Sequence, residues 1–233
     1  MLTIEQVSGL KGLPILAGLS DAAIWRVAET CQWRRYAAAQ QIVGYQEPSA
    51  NVFFLLSGAA RAIIYSPQGK AVIFTDLKAT TMFGEIAAID RKSRSAGVEA
   101  LGPCTVASLT AEQFEALMLR EPSVGVAVLR HVTAEVRRLS ERVYEFSTLA
   151  VQNRIHAELL RLAREAAPGH DRVVLVPAPS LAEIANRIST HREAVSRELS
   201  RLMTLGLLRR EDGCLVIANT EKLAEFVHMA KGD

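Results

Sequence analysis

Between Phe83 and Val98 the chain reads Phe-Gly-Glu-Ile-Ala-Ala-Ile-Asp-Arg-Lys-Ser-Arg-Ser-Ala-Gly-Val. Four of these residues, Gly84, Glu85, Arg94 and Ser95, have the chemistry of a binding site. A glycine leading into a short, apolar, helix-compatible run offers backbone N–H groups at a helix start, where aligned peptide dipoles favour an anion. Arg94, ten residues after the glycine, adds a planar and permanently charged guanidinium, the side chain that phosphate oxygens accept best. A carboxylate beside a phosphate is repelled, so the natural use of Glu85 is to accept a hydrogen bond from a sugar hydroxyl. Phosphate and sugar hydroxyl together mean nucleotide. A plain surface ion pair between Glu85 and Arg94 would require neither the glycine, nor the aliphatic turn, nor the serine.

The segment resembles the phosphate-binding cassette of cyclic-nucleotide-binding domains in the CRP/FNR (catabolite-activator) family of bacterial regulators. That pattern reads Phe-Gly-Glu, an aliphatic turn, then Arg-Ser-Ala-x-Val, and every position is filled here. The resemblance implies that Gly84, Glu85, Arg94 and Ser95 bind the cyclic phosphate and ribose of an allosteric effector. It extends over essentially the whole chain and implies an α+β fold: an N-terminal antiparallel β jelly roll for cyclic-nucleotide binding (residues 1–122), a long coiled-coil dimerisation helix (residues 123–149) and a C-terminal winged helix-turn-helix domain (residues 150–233). The implied partners are double-stranded DNA bearing an inverted repeat, a second copy of the chain and RNA polymerase.

Size and composition agree with this. The 233 residues are enough for two domains, each with its own core. A hydrophobic content of 49% with 22% charged residues is that of a soluble globular protein. No apolar run approaches the roughly 18–20 residues of a membrane span, and the N-terminus lacks the basic and apolar regions of a signal peptide. Cys31, Cys104 and Cys214 form no pair motif, which points to a reduced cytoplasm. The net charge of +2 argues for nothing by itself, but six arginines and two glutamates fall between Arg187 and Arg210. That stretch is a candidate phosphate-facing surface.

The elements that must position the cradle follow from periodicity. Residues up to about Thr30 read as helix, with Asp21 near the start of an Ile24/Val27/Ala28 face. From Gln32 to Leu109 the short β-branched and aromatic runs Val52–Leu56, Ala59–Tyr65, Ala71–Asp76 and Cys104–Leu109 alternate with turn residues, the signature of a small antiparallel barrel. Helix resumes after Thr110, breaks at Pro122-Ser123, and continues to about Leu149. Leu129, Val132, Val136, Leu139, Val143, Phe146 and Ala150 recur at alternating steps of three and four, a heptad seam with polar flanks. A parallel two-stranded coiled coil, hence a homodimer, is favoured over packing of this helix on its own barrel.

The last third reads as a DNA-reading unit. Arg154–Ala166 is an amphipathic helix and Arg172–Val176 a strand closed by prolines. Ser180-Leu-Ala-Glu183 and Thr190-His-Arg-Glu193 both fit the capping box, so two helices are expected over Leu181–Ile188 and His191–Leu205. Val195, Leu199 and Leu202 turn one face of the second helix inward. Arg192, Glu193, Ser196, Arg197 and Ser200 then lie outward. A short helix, a tight joint and a longer helix with a basic face make a helix-turn-helix. An Asp-Gly hairpin follows as a wing, with Arg209 and Arg210 for phosphates.

The recognition helix resembles the CRP branch, whose readers follow Arg-Glu-x-x-x-Arg. Arg192, Glu193 and Arg197 match it. An arginine holds guanine bidentately and a glutamate accepts from cytosine, so an inverted repeat of a TGTGA-like half-site is implied. Glu193, Ser196 and Arg197 also fit the Glu-x-x-Ser-Arg of the FNR branch, and Arg192 tips the balance toward TGTGA. Capping of its own helix is a second reading of Glu193. Ser180 and His191, at helix starts, are expected to touch phosphates.

For the base, the resemblance assigns adenine contacts to a Thr-Ser pair on the dimer helix. Leu139 stands where the threonine would be, and Ser140 is kept. The missing hydroxyl removes a hydrogen bond worth roughly 0.5–1.5 kcal/mol, so cyclic AMP is the first choice and cyclic GMP stays open. No metal is expected. His131, His156, His170, His191 and His228 have no ligand-like spacing and read as ordinary surface or interface residues. The first thirty residues hold no cysteine and the barrel no histidine, against an iron–sulfur or haem sensor. No P-loop, Gly-x-Ser-x-Gly, His-Glu-x-x-His or dinucleotide motif is present, so an enzyme is not expected. A cyclic-nucleotide module controlling a protein partner is the remaining alternative.

Overall fold

The run Val52-Phe-Phe-Leu-Leu is apolar at every position because both of its faces are covered, as a doubly buried strand requires. Val52 and Phe54 point into a layer of helices, while Phe53 and Leu55 point between two sheets. The computed structural model describes residues 2–232 and divides into two units, one ending at Val136 and the other beginning at Arg137.

The first unit opens with α1 (Ile4–Lys11), a 3-10 turn at Pro14–Leu16 and α2 (Asp21–Thr30). Thr3 and Gln6 close a capping box on α1, and the Ser20 hydroxyl accepts from Ala23 N–H to start α2. Eight strands and a short helix follow: β1 (Gln32–Tyr36), β2 (Gln41–Val43), β3 (Val52–Ser57), β4 (Ala59–Tyr65), β5 (Ala71–Lys78), β6 (Thr81–Phe83), α3 (Glu85–Asp90), β7 (Gly97–Ala100) and β8 (Cys104–Leu109). They make two antiparallel four-stranded sheets, ordered β1-β8-β3-β6 and β2-β7-β4-β5. Phe53, Leu55, Phe83 and Val106 from the first sheet meet Val43, Ala60, Leu77 and Val98 from the second. On the outer face of the first sheet Leu10, Ile24, Val27, Phe54, Phe114 and Val124 form a second core with the helices.

Helix α4 (Ala111–Arg120) starts in a Thr110–Gln113 capping box, and α5 spans Pro122–Thr148. Proline suits the first turn of a helix, where its missing N–H has no intrahelical role. The border between the two units falls inside α5. Val124 and Val128 are buried against the first unit. The seam residues Leu129, Val136, Leu139, Val143 and Phe146 are exposed, Leu129 at 68% and Val143 at 65%. Two seam expectations are corrected. Val132 packs partly into the core of its own domain, and Ala150 lies outside α5, where it caps the next helix.

The second unit contains α6 (Val151–Ala166), β9 (Val173–Leu175), α7 (Leu181–Arg187), α8 (Arg192–Thr204), β10 (Leu208–Glu211), β11 (Cys214–Ile217) and α9 (Thr220–Lys231). The strands pair in the order β10-β11-β9. Asp212 and Gly213 take φ of 42° and 78°, joining Glu211 to its partner Cys214 by a two-residue turn. Left-handed dihedrals at both turn positions match the twist of a hairpin, and Asp-Gly tolerates them. Ile155, Leu159, Ile184, Val195, Leu202, Ile217 and Leu223 fill the core between helices and sheet. The Asn219 side chain caps α9, an element for which the sequence reading had no assignment.

The second capping box is also corrected. Ser189 turns into the left-handed region (φ 52°), Thr190 is buried with its N–H on the Ala185 carbonyl, and α8 begins one residue later with His191 at the cap. The first box holds by half. Ser180 accepts from Glu183 N–H, while the Glu183 carboxylate reaches forward to Arg187.

Candidate functional site

Strand β6 delivers the chain to Gly84, whose φ of +82° is left-handed. A Cβ at this position would stand 2.8 Å from Arg94 Nη1 and 2.9 Å from the Asn51 carbonyl oxygen. Both the backbone and the space therefore demand glycine. Helix α3 then runs for six residues, burying Ala87 and Ala88, and ends at Arg91, which is again left-handed (φ 58°). The return path brings Arg94 back over the glycine.

Arg94 is 3% exposed. Its Nη1 donates to the Gly84 carbonyl at 3.1 Å, its Nε donates to Ser49 Oγ at 3.0 Å, and its guanidinium lies over the Phe53 ring, 5.3 Å from the centroid. Phe53 in turn stacks on Phe83. The backbone is strapped too: Arg94 N–H donates to the Glu47 carbonyl, and Gln46 N–H to the Arg94 carbonyl. Burial lowers the Arg94 pKa, against the opposing fields of Glu47 and Glu85. Its Nη2 is buried and has no hydrogen-bond partner among the described residues. A buried cationic donor of this kind is costly unless an anion completes it.

Glu85 is 7% exposed, and burial pushes its carboxyl above the usual carboxylate range. A backbone hydrogen bond, His131 and Arg94 pull the other way, while Glu135 pushes it further up. His131 Nε2 on α5 stands 3.8 Å from Glu85 Oε1. Glu47 is held ionised by the Gly44 N–H and by Ser49. The structure thus brings Gly84, Glu85 and Arg94 together, with Ser95 exposed beside them. The donor set fits the phosphate and sugar of a nucleotide. Ser49 and His131 belong to this cluster and were missed, because they reach it from 45 residues before and 46 residues after their partners. Leu139 and Ser140 are exposed on α5 and belong to the second unit.

In the second unit Arg192, Glu193, Ser196, Arg197 and Ser200 are all exposed along one side of α8, whereas Val195, Leu199 and Leu202 are buried. Glu193 stands 3.6 Å from Arg192 and, among the described residues, makes no ion pair with Arg197. His191 and Ser180 lie exposed at the starts of α8 and α7, and Arg209 and Arg210 are exposed on β10. Two expectations fail here. Arg187 is buried at 6% exposure, 3.6 Å from Glu158 and 3.3 Å from Glu183, and faces no phosphate. His156 is no surface residue; it is 2% exposed, with Nε2 2.6 Å from Glu198 Oε1. Arg201 is also taken up by Glu198. The basic outer face is narrower than the arginine count suggested.

Among the described residues no three potential metal ligands cluster, and no helix is long and apolar enough to cross a membrane.

Comparison with known proteins places both sites. A family model for the cyclic nucleotide-binding domain matches residues 33–121, and one for the Crp-like helix-turn-helix domain matches residues 153–226. The CRP-like cAMP-activated global transcriptional regulator of Mycobacterium tuberculosis is 21% identical over 211 residues, 90% of this chain and 94% of that protein. The cAMP-activated global transcriptional regulator CRP of Pasteurella multocida is 24% identical over 193 residues, 82% of this chain and 91% of that protein. Among solved structures, the c-di-GMP responsive global regulator CLP of Xanthomonas campestris superposes with a TM-score of 0.73 at 19% identity, covering 85% of this chain and 99% of that one. Relatives of this kind are transcription regulators and not enzymes. With a nucleotide-binding β domain followed by a Crp-like helix-turn-helix, the chain belongs to the CRP/FNR family of transcription regulators.

Proposed function

We propose that this chain is a cyclic-AMP-responsive regulator that binds an inverted-repeat, TGTGA-like DNA site as a homodimer. One observation carries the effector assignment: a buried guanidinium, Arg94, with one nitrogen lacking a partner beside the buried carboxylate of Glu85. Gly84, Arg94 and Ser95 hold the cyclic phosphate, and Glu85 accepts from the ribose. Leu139 and Ser140 meet the base. Cyclic AMP is the first ligand because two relatives carry it in their names. Cyclic GMP shares its phosphate and sugar.

The exposed seam of α5 supports the dimer, since large apolar side chains at heptad spacing are covered by a second copy. The ligand acts through differential affinity for the DNA-competent state, in which two recognition helices stand about 34 Å apart. On DNA, Arg192, Glu193, Ser196 and Arg197 read base edges, and Ser180 and His191 touch phosphates.

Calorimetry with cyclic AMP, cyclic GMP and cyclic di-GMP tests the effector. Wild type binds cyclic AMP, and Arg94→Ala loses both mononucleotides. Titration of palindromic DNA with and without nucleotide tests the response, and equal affinity in the two conditions rejects it.

A further inference from the structure

The sugar side of the cradle is shared between two elements. Glu85 comes from α3, but the nearest side chain of opposite potential charge is His131, on α5. Glu85 is almost fully buried, whereas the His131 side chain is 26% exposed. The imidazole therefore keeps an open side. The separation of 3.8 Å is within reach for an ion pair but too long for a direct hydrogen bond. One oxygen at about 2.8 Å from each atom bridges such a gap, provided it both donates and accepts. A sugar hydroxyl does so, donating to the carboxylate and accepting from Nε2–H. A 3′,5′-cyclic nucleotide has one free sugar hydroxyl to place there.

Charge makes the same residue consequential. The groups facing His131 and Glu85 are Glu85 on α3, Glu135 one turn further along α5, and Arg94 on the segment after α3; Glu47, before β3, acts on Arg94. Glu85, Glu135 and Arg94 alone sum to −2 + 1 = −1. A phosphodiester brings the total to −2 in a poorly hydrated space. The imidazole is the one group there that gains a charge near neutral pH.

We propose that His131 is a binding residue of the nucleotide site, bridged to Glu85 through the sugar hydroxyl and taking up a proton as the phosphate enters. This rests on the cyclic-nucleotide reading above and adds to it a residue and a proton. Nucleotide affinity rises as pH falls, and α5 registers the ligand through a side chain of the same subunit.

The test is calorimetry with cyclic AMP at about pH 6 and about pH 8, in buffers of different ionisation heat, on wild type and His131→Gln. Glutamine keeps an N–H donor and cannot titrate. Wild type should bind about tenfold more tightly at the lower pH, with net proton uptake; His131→Gln should vary by less than about twofold and match wild type at high pH. The ring resonances of His131 should move to the protonated position when cyclic AMP is added near neutral pH, a readout that needs no variant. A pH dependence that survives in His131→Gln, or none in wild type, overturns the inference while leaving the nucleotide reading intact. Absence of any nucleotide binding by wild type overturns both.

Discussion

Arg142, near the end of α5, donates to Glu158 Oε2 on α6 at 2.7 Å, and its other terminal nitrogen donates to the backbone carbonyl of Arg187, where α7 ends. The dimer helix is thereby fastened to the first helix of the DNA-reading motif. Arg161 reaches both Glu145 and Glu158, and Lys231 from α9 pairs with Glu141 at 2.8 Å. Glu145 and Glu158 are 3% and 2% exposed. Buried carboxylates persist only where cations and hydrogen bonds satisfy them.

Arg142→Met keeps most of the aliphatic stem and removes the charge and both hydrogen bonds. Leaving a buried charge wholly alone costs about 3–5 kcal/mol, but Glu158 retains Arg161 and Arg187. The expected loss is about 1.5–3 kcal/mol, the range for hydrogen bonds to charged groups. Urea unfolding of the full chain measures it. A loss below about 0.5 kcal/mol would put Arg142 with ordinary surface pairs.

Gly84→Ala forces an L-residue into a left-handed conformation, at about 1–2 kcal/mol. It also drives Cβ against Arg94 Nη1 and the Asn51 carbonyl. Arg94 must move, and with it the phosphate donor. Thermal unfolding should show the destabilisation, and calorimetry should show cyclic AMP binding fall beyond detection. Retained affinity would mean that the guanidinium does not need this position.

The carboxyl of Glu85 exchanges stability for binding. Burial raises its pKa in the folded chain. Such a group contributes stability that is complete below its unfolded value, about 4.3. That contribution is lost as pH rises through the folded value. Above this window the chain carries an ionised, buried carboxylate. Glu85→Gln should therefore unfold at a higher temperature than wild type at pH 8, with the gap closing toward pH 4. Its nucleotide affinity should fall about 10- to 100-fold, from the loss of a charged acceptor worth roughly 1.5–3 kcal/mol. Equal melting curves at both pH values reject the desolvation account.

The cradle was legible because its members are local: one glycine, one carboxylate and one guanidinium within eleven positions of a single turn-and-return. Ser49 and His131 approach through tertiary packing, so no spacing rule reaches them. Strand β1, Gln-Trp-Arg-Arg-Tyr, escaped because it is a sheet edge with mostly exposed residues and no apolar alternation. The strands β2 and β6 are three residues long, too short for any period to register. His156 and Arg187 read as polar surface because their partners, Glu198 and Glu158, lie 42 and 29 residues away in sequence. The box at Thr190 had the right letters, but Ser189 spends its left-handed turn there and the helix starts one residue late. Periodicity on α8 held, since three apolar residues at helical spacing leave a single way to face the core.

Charging the seam tests the dimer. Val136→Glu with Val143→Glu alters two exposed positions, so each unit should keep its fold. Burying a valine contributes about 1.5–3 kcal/mol. Loss of two such contacts weakens association by roughly two to four decades. Sedimentation should show a dimer for wild type and a monomer for the variant at micromolar concentration. DNA affinity should collapse along with it. A variant that stays dimeric places the interface elsewhere.

The arginines of the second unit should separate into readers and holders. Arg197 is exposed on α8, where a guanidinium reaches base edges, whereas Arg209 is exposed on the wing strand β10. A bidentate contact to guanine discriminates by about 1–3 kcal/mol per base pair. Arg197→Ala should therefore lose about 5- to 150-fold on the palindrome and little on an unrelated sequence. Arg209→Ala should weaken both equally and lower the slope of log affinity against log salt by about one. Fluorescence anisotropy at several salt concentrations, with both DNAs and saturating cyclic AMP, measures the two effects together. If Arg197→Ala loses the same factor on both sequences, then α8 holds phosphates and the base readers lie on another face of the motif.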